Sequence, residues 1–197
     1  YLFPETARGE MVLVAKMAGI FCGEKVIQEA LRVVDYTSTV ICHVNDGDRV
    51  ENGTIIATAT GSVQGLLKSE RVLLNLIQRM SGIATETNDV VQRIQGTNTK
   101  ICDTRKTMPG LRMLDKYAVR VGGGFNHRNG LYDAVMLKDN HLAFAGSISK
   151  AVQTVKENVG HTVKVEVEIE TLEQLKEAIE AGADIILTNT FGGNRHR

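Results

Sequence analysis

Tryptophan is missing from this 197-residue chain, proline occurs twice, and aromatic residues make up only 5%. So few rings leave little for a base-stacking surface. No run of 18 apolar residues exists, which excludes a transmembrane helix. Neither sign of charge is in excess: 23 Lys and Arg face 23 Asp and Glu, for a net of zero. Non-specific nucleic-acid and membrane-surface binders normally need surplus cations, so neither partner is expected. Cysteine is confined to Cys22, Cys42 and Cys102, an odd and scattered set. It fits neither a disulfide framework nor a zinc cluster, and a reducing cytoplasm is the expected compartment. The first residue is Tyr1 rather than Met, with no charged and apolar leader, so the chain is expected to be missing its start. What is present, 43% apolar and 23% charged residues, is the composition of an ordinary globular protein with one large domain or two small ones.

The first sixty residues read as a small α+β unit. Met11 to Met17 is apolar enough for a buried strand, and Glu24 to Val34 carries Val26, Ile27, Ala30, Leu31 and Val34 at helical spacing. Strands are expected at Thr39 to Val44 and Thr54 to Thr60, around a turn at Asn45-Asp46-Gly47-Asp48. That turn looks like the one in lipoyl and biotinyl carriers, but no lysine stands at its tip, so it is read as a plain hairpin. Ser62 to Ile94 is helical throughout, with a break into two helices expected at Ser81-Gly82. Beyond Gly96, short β-rich runs (101–103, 134–137, 163–167, 185–187) alternate with helical stretches near Ser147–Asn158 and Leu172–Ala181. Thr171 and Gln174 form a capping box for the second of these helices, and Gly182 stops it. Alternating β and α with buried strands implies a parallel sheet, open or closed into a barrel.

Polar groups gather at the C-terminal ends of those strands: Thr104-Arg105-Lys106, Lys138-Asp139-Asn140-His141, Glu168, and Thr188-Asn189. Ligands of α/β sheets and barrels lie there, because the loops converge. Gly122-Gly123-Gly124, followed by His127 and Arg128, suggests uncovered N–H groups and close approach to a ligand. It matches neither the dinucleotide fingerprint nor the Walker A loop. The net of zero is a cancellation. Residues 101–141 hold seven Lys/Arg against four Asp, whereas 157–180 hold seven Glu against two Lys. Strand alternation puts Glu166 and Glu168 on one face, where burial would demand a cation or metal. Cations facing a carboxylate pair suit a polyanionic substrate carrying Mg²⁺.

Five segments together carry a family resemblance. They are Glu70 through Thr85, Asp103 through Gly110, Gly122 through Arg128, Leu137 through His141, and the acidic strand before Leu172-Glu173-Gln174-Leu175. In order and spacing they resemble quinolinate phosphoribosyltransferase, the carboxylating nicotinate-nucleotide pyrophosphorylase family, from the first residues to about Leu187. A molybdenum-locus relative shares the Arg-Lys-Thr and Gly-Gly-Gly–His-Arg elements, but the Lys-Asp-Asn-His run favours the quinolinate enzyme. The resemblance implies an α/β fold in two parts. A small N-terminal α/β sandwich with bridging helices is expected over 1–95, and the first part of an incomplete β/α barrel of parallel strands over 96–197. It further implies a cytoplasmic homodimer that joins quinolinate to phosphoribosyl pyrophosphate, giving nicotinate mononucleotide, pyrophosphate and CO₂ in NAD biosynthesis. Arg105, His127, Arg128 and Lys138 would bind the pyridine dicarboxylate, with Arg71 reaching in from the partner subunit. Thr104 and Lys106 would lie near the phosphoribosyl pyrophosphate, and Glu168 on its ribose and metal side. Lys138 and Glu168 are the expected catalytic residues. Mg²⁺ would arrive with the pyrophosphate, with no protein metal site and no organic cofactor.

The pattern departs after Leu187, where Asn189 occupies the family's aspartate position and an amide supplies no negative charge. Gly192 to Arg197 match nothing in the family, and the later strands with their phosphate-binding turns are absent. The chain is therefore expected to be incomplete at its end as well. Two other readings stand beside phosphoribosyl transfer: a catalytically silent fragment serving as a dimerisation module, and a molybdenum-locus type of pyrophosphorylase with another acceptor.

Overall fold

Three short strands that alternate inward and outward residues set the first layer of the fold. The computed structural model describes residues 2–4 and 6–188, and packing divides the chain into two compact units, Tyr1–His127 and Arg128–Arg197. The first unit runs through β1 (Arg8–Val14), β2 (Gly19–Ile20), α1 (Glu24–Val34), β3 (Thr39–Cys42), β4 (Arg49–Val50), β5 (Ile55–Ser62), α2 (Val63–Arg93) and α3 (Arg112–Val121). β5 lies between β1 and β3, antiparallel to both, with Met11, Ala59 and Val40 on one rung and Leu13, Ala57 and Cys42 on another. Those residues face a core completed by Phe21, Ile27, Leu31, Leu73 and Ile77, while Val12 and Ile41 point outward. The expected strand at 11–17 thus starts earlier, ends at Val14, and is half-buried rather than buried through.

The hairpin at 45–48 has a structural task. Helix α1 begins at Gly23, which has no side chain to cap it, and Asp46 Oδ1 accepts instead from the Gly23 and Glu24 amides at 2.6 and 2.9 Å. Gly23 cannot be replaced easily. Its φ is +140°, and an added Cβ would lie 2.7 Å from Ile77 Cγ2. Asp46 also accepts from the Tyr117 hydroxyl of α3 at 2.7 Å, which pushes the phenol's pKa upward.

No break divides the long helix: α2 is continuous over 31 residues. Ser81, read as a breaker, uses its hydroxyl sideways, accepting from the Cys22 amide at 3.0 Å and donating to the Cys22 carbonyl at 3.2 Å. Thr85 does the same one turn on, accepting from the Ile20 amide at 2.9 Å. Both residues satisfy a neighbouring backbone rather than ending their own helix. Cys22 is fully buried there, and burial, with Asp46 nearby, pushes its thiol up to about 12. Cys42 is half-buried and Cys102 exposed, and all three thiols are free.

The second unit contains β6 (Ala134–Leu137), α4 (Asp139–Ala145), α5 (Ile148–Asn158), β7 (Lys164–Ile169), α6 (Leu172–Glu180) and β8 (Ile185–Thr188). Its strands form a parallel sheet in the order β6-β7-β8. Leu137, Val165, Val167 and Ile169 pack on Ile148, Ala151 and Val152 of α5 and Ala178 of α6. The helices therefore share one face of the sheet, as in a barrel segment rather than a doubly wound sheet. The capping box forms as expected, with Thr171 Oγ1 accepting from the Gln174 amide at 3.2 Å and Gln174 Oε1 from the Thr171 amide at 3.3 Å.

Gly82 is exposed on α2, and a Cβ there would meet nothing within 4 Å. Gly82→Ala is expected to stabilise the protein by about 1 kcal/mol through helix propensity. Urea unfolding checks this: an unchanged or lowered midpoint would show that the helix needs the glycine.

Candidate functional site

Register decides which side chains stand opposite the helices in the second unit. Met136 pairs with Glu166, and Glu168 with Leu187, so Met136, Lys138, Glu166 and Glu168 share the face that the helices leave open. Glu166 is 2% exposed and Glu168 half-buried, and both lie on the one face that alternation gives them. At the C-terminal ends of β6 and β7, Lys138 Nζ lies 3.4 Å from Glu168 Oε2. Arg128 lies along β6, donating to the Ala134 carbonyl at 3.0 Å and placing Nη2 3.4 Å from Met136 Sδ. The His141 imidazole of the Lys-Asp-Asn-His run turns back on its own helix. Its Nδ1 accepts from the Lys138 amide at 3.0 Å, fixing the backbone from which the Lys138 side chain projects. Asn189 lies outside the described residues.

The first unit holds the other anion-binding candidates. The expected strand at 101–103 is reduced to a single parallel bridge, Cys102 to Phe125, with the Asp103 amide donating to the Phe125 carbonyl at 3.0 Å. Thr104, Arg105 and Lys106 follow directly, and His127 stands two residues beyond Phe125 on the facing segment. Thr104 Oγ1 accepts from the Lys106 amide at 3.0 Å, tightening the turn. Arg112 of α3 donates to the Arg105 carbonyl at 3.4 Å and to Thr107 Oγ1 at 3.3 Å. Arg105 Nε is buried and has no acceptor among the described residues. Arg71 is exposed on α2.

The glycine run is built differently from the expectation. Its amides are not uncovered: those of Gly122, Gly123, Gly124 and Phe125 donate to the carbonyls of Ala118, Arg120, Val119 and Ile101. At Gly122 and Gly124 no side chain fits. A Cβ on Gly122 would lie 2.4 Å from the Ala84 carbonyl oxygen, and one on Gly124 2.9 Å from Thr87 Cγ2. The run lets the end of α3 press onto α2, and its contribution to any site is to place His127 after it.

Sequence reasoning missed the polar groups that hold this region. Arg79 grips Asp115 with two bonds of 2.7 Å, and the same carboxylate accepts from the Met108 amide at 3.1 Å. The Arg79 bond, then the Met108 amide, hold the Asp115 carboxyl below the usual carboxylate range despite its burial. One turn-neighbour later, Lys116 donates to Asp103, which also receives the His127 amide at 2.8 Å.

Comparison with known proteins gives a consistent pattern. The sequence profile of the quinolinate phosphoribosyl transferase C-terminal domain matches residues 83–197, and that of the N-terminal domain matches 1–81. A probable carboxylating nicotinate-nucleotide pyrophosphorylase of Bacillus subtilis is 54% identical over 178 residues, covering 90% of this chain and 62% of the relative. The corresponding Synechocystis protein is 44% identical over 185 residues, covering 94% and 63%. The chain thus spans about three fifths of the length of these curated relatives. Among solved structures, NadC from Streptococcus pyogenes superposes with a TM-score of 0.91 at 43% identity, over 96% of this chain and 68% of that one. The nicotinate-nucleotide pyrophosphorylase of Francisella tularensis gives the same TM-score at 39% identity, over 97% and 68%.

Two outcomes follow from the packing of α3. Gly122→Ala is expected to cost about 1–3 kcal/mol in urea unfolding, because backbone rather than a flexible side chain must yield. Arg79→Met is expected to lower the melting temperature most at neutral pH. Asp115's contribution is complete above the ordinary carboxylate range and fades as pH falls through its depressed value. The deficit against the parent protein should therefore shrink on acidification, and a deficit constant with pH would refute the pairing as its source.

Proposed function

Since the chain belongs to the quinolinate phosphoribosyl transferase family, we propose that it transfers the phosphoribosyl group of phosphoribosyl pyrophosphate to quinolinate with decarboxylation. The products are nicotinate mononucleotide, pyrophosphate and CO₂, on the de novo route to NAD. The observation that carries this reading is the Lys138–Glu168 pair at the ends of neighbouring parallel strands, on the face opposite the helices. A strand-end cation beside a carboxylate suits a substrate that is anionic on one side and develops positive charge on the other.

In this reading Arg105, His127, Arg128 and Lys138 take the two carboxylates of quinolinate. The buried Arg105 Nε supports the assignment, since it has a donor to offer an incoming oxygen. Thr104 and Lys106 hold the phosphoribosyl pyrophosphate. Departure of pyrophosphate leaves oxocarbenium character on the ribose, which the Glu168 carboxylate stabilises electrostatically. Loss of CO₂ leaves a carbanion next to a positively charged ring nitrogen, which stabilises it. No side-chain nucleophile is needed. Among the described residues no three His, Cys, Asp or Glu cluster to hold a metal ion by themselves. Mg²⁺ is assigned to the substrate, where it would neutralise the leaving pyrophosphate, with Glu168 on that side.

We assign the protein to a homodimer in which Arg71, exposed on α2, serves the partner subunit's pocket. Three free thiols support a reducing cytoplasm, and among the described residues no helix is long and apolar enough to cross a membrane.

The test is binding and turnover by the chain. Calorimetry should detect quinolinate, and chromatography should detect nicotinate mononucleotide when phosphoribosyl pyrophosphate and Mg²⁺ are added. Arg105→Ala or Lys138→Ala should weaken quinolinate binding by at least about 30-fold, with an unchanged circular dichroism spectrum. Chelation by EDTA should stop turnover while leaving quinolinate affinity as it was. A folded chain that binds no quinolinate overturns the proposal in favour of a silent dimerisation module. Preference for another acid would favour the molybdenum-locus reading instead.

A further inference from the structure

One buried ion pair in the first unit has no place in the chemistry above. Lys116 Nζ donates to Asp103 Oδ1, and the two side chains are 3% and 6% exposed. Neither group reaches solvent. The pair is tied to one residue in particular: Asp103 Oδ1 accepts from the His127 amide at 2.8 Å, and Lys116 Nζ donates to the His127 carbonyl at 3.0 Å. Both polar groups of the His127 main chain are thus held, one by each member of the pair. Asn126 closes the cluster, donating from Nδ2 to Asp103 Oδ2 and, at 2.8 Å, to the Lys116 carbonyl. Asp103 is also the residue immediately before Thr104-Arg105-Lys106. Two separate stretches of chain that carry anion-binding candidates therefore hang from a single carboxylate.

Exposure separates Lys116 from its cationic neighbours. Lys106 is exposed and Arg105 half-buried, its Nε without an acceptor among the described residues, whereas the Lys116 ammonium is enclosed and already has an anion and a carbonyl. A buried ion pair often adds little stability over apolar side chains of equal size, so its value must be sought in the geometry it imposes. Here that geometry is the separation between residue 104 and residue 127.

We propose that Lys116 and Asp103 are positioning residues for quinolinate binding, acting through the His127 backbone and the Thr104–Lys106 turn without touching substrate. The proposal rests on the assignment of those segments to the substrate. Removing Lys116 leaves Asp103 buried without its countercharge, and the two segments separate.

The experiment compares Lys116→Met with Asp35→Ala. Asp35 is an unrelated hub of the sandwich sheet, accepting from Thr37, Ser38 and the Ser62 amide, and its loss supplies a matched fall in stability. Two readouts are taken on the full chain at a temperature where both variants are folded. Lys116→Met should weaken quinolinate binding roughly 10- to 100-fold, as expected for binding groups displaced by about an ångström. It should also speed amide hydrogen exchange in residues 103–106 and 125–127. Asp35→Ala, at an equal loss of melting temperature, should change neither. Equal quinolinate affinity in the two variants, or unchanged exchange at those segments, would overturn the proposal. If Lys116→Met does not fold, Asp103→Asn replaces it: the amide still offers an oxygen to the His127 N–H but not a charge to Lys116, and a smaller change of the same sign is expected. A parent chain that binds no quinolinate overturns the substrate reading instead, and the exchange rates then decide the backbone clamp independently.

Discussion

Backbone meeting backbone with no side chain between them, at Gly122 against the Ala84 carbonyl, determines how the first unit is assembled beyond α2. A helix of 31 residues offers far more surface than one core can cover. Its first half is closed by the antiparallel sheet and α1, and its second half by the segment 20–22 and α3. The second closure needs close approach, because the cluster of Ile20, Cys22, Met80, Ala84 and Ala118 includes two alanines and a cysteine, whose short side chains fill little space. Once α3 is seated, Asp115 meets Arg79, Lys116 meets Asp103, and the chain emerging from the glycines is delivered as residues 125–127. Every candidate substrate ligand of this unit other than Arg71 depends on that seating.

Electrostatics then sorts the cations by whether the fold has already used them. Arg79 and Lys116 are engaged by buried carboxylates. In the second unit, Arg128 is braced by a carbonyl and a thioether, and Lys138 shares a looser, partly exposed contact with Glu168. A long ion pair open to water exchanges its partner readily, since solvent screening leaves little to lose. The same charge in a tight enclosed pair does not. The neutral total of the chain therefore conceals two populations, one structural and one available.

Much of the architecture is legible in the sequence, and the exceptions have specific causes. α1, α5 and α6 follow from helical patterns, β5 and the parallel strands from short β-rich runs, and the Thr171–Gln174 box forms. Helix α3 does not, because its buried positions include Asp115 and Lys116, which any pattern of hydrophobicity assigns to water. Ser81-Gly82 misleads for the opposite reason: a residue pair suited to ending a helix is retained inside one by hydrogen bonds from Cys22, 59 residues away. Gly122 to Gly124 suggest close approach of a ligand to bare amides, but the amides are engaged and the group that approaches is the chain's own helix. At strand ends, the set of polar side chains and the family resemblance together single out Lys138 and Glu168, and the structure brings those two side chains within 3.4 Å of each other.

The graded burial of the three thiols turns the molecule into its own probe. Cys22, enclosed and with its ionisation pushed up to about 12, is shielded from alkylating reagents at neutral pH. Cys102, exposed and one residue before Asp103, is open to them. A fluorophore or spin label attached there would sit beside the bridge between residues 102 and 125, where any rearrangement of the two segments becomes an optical or magnetic signal.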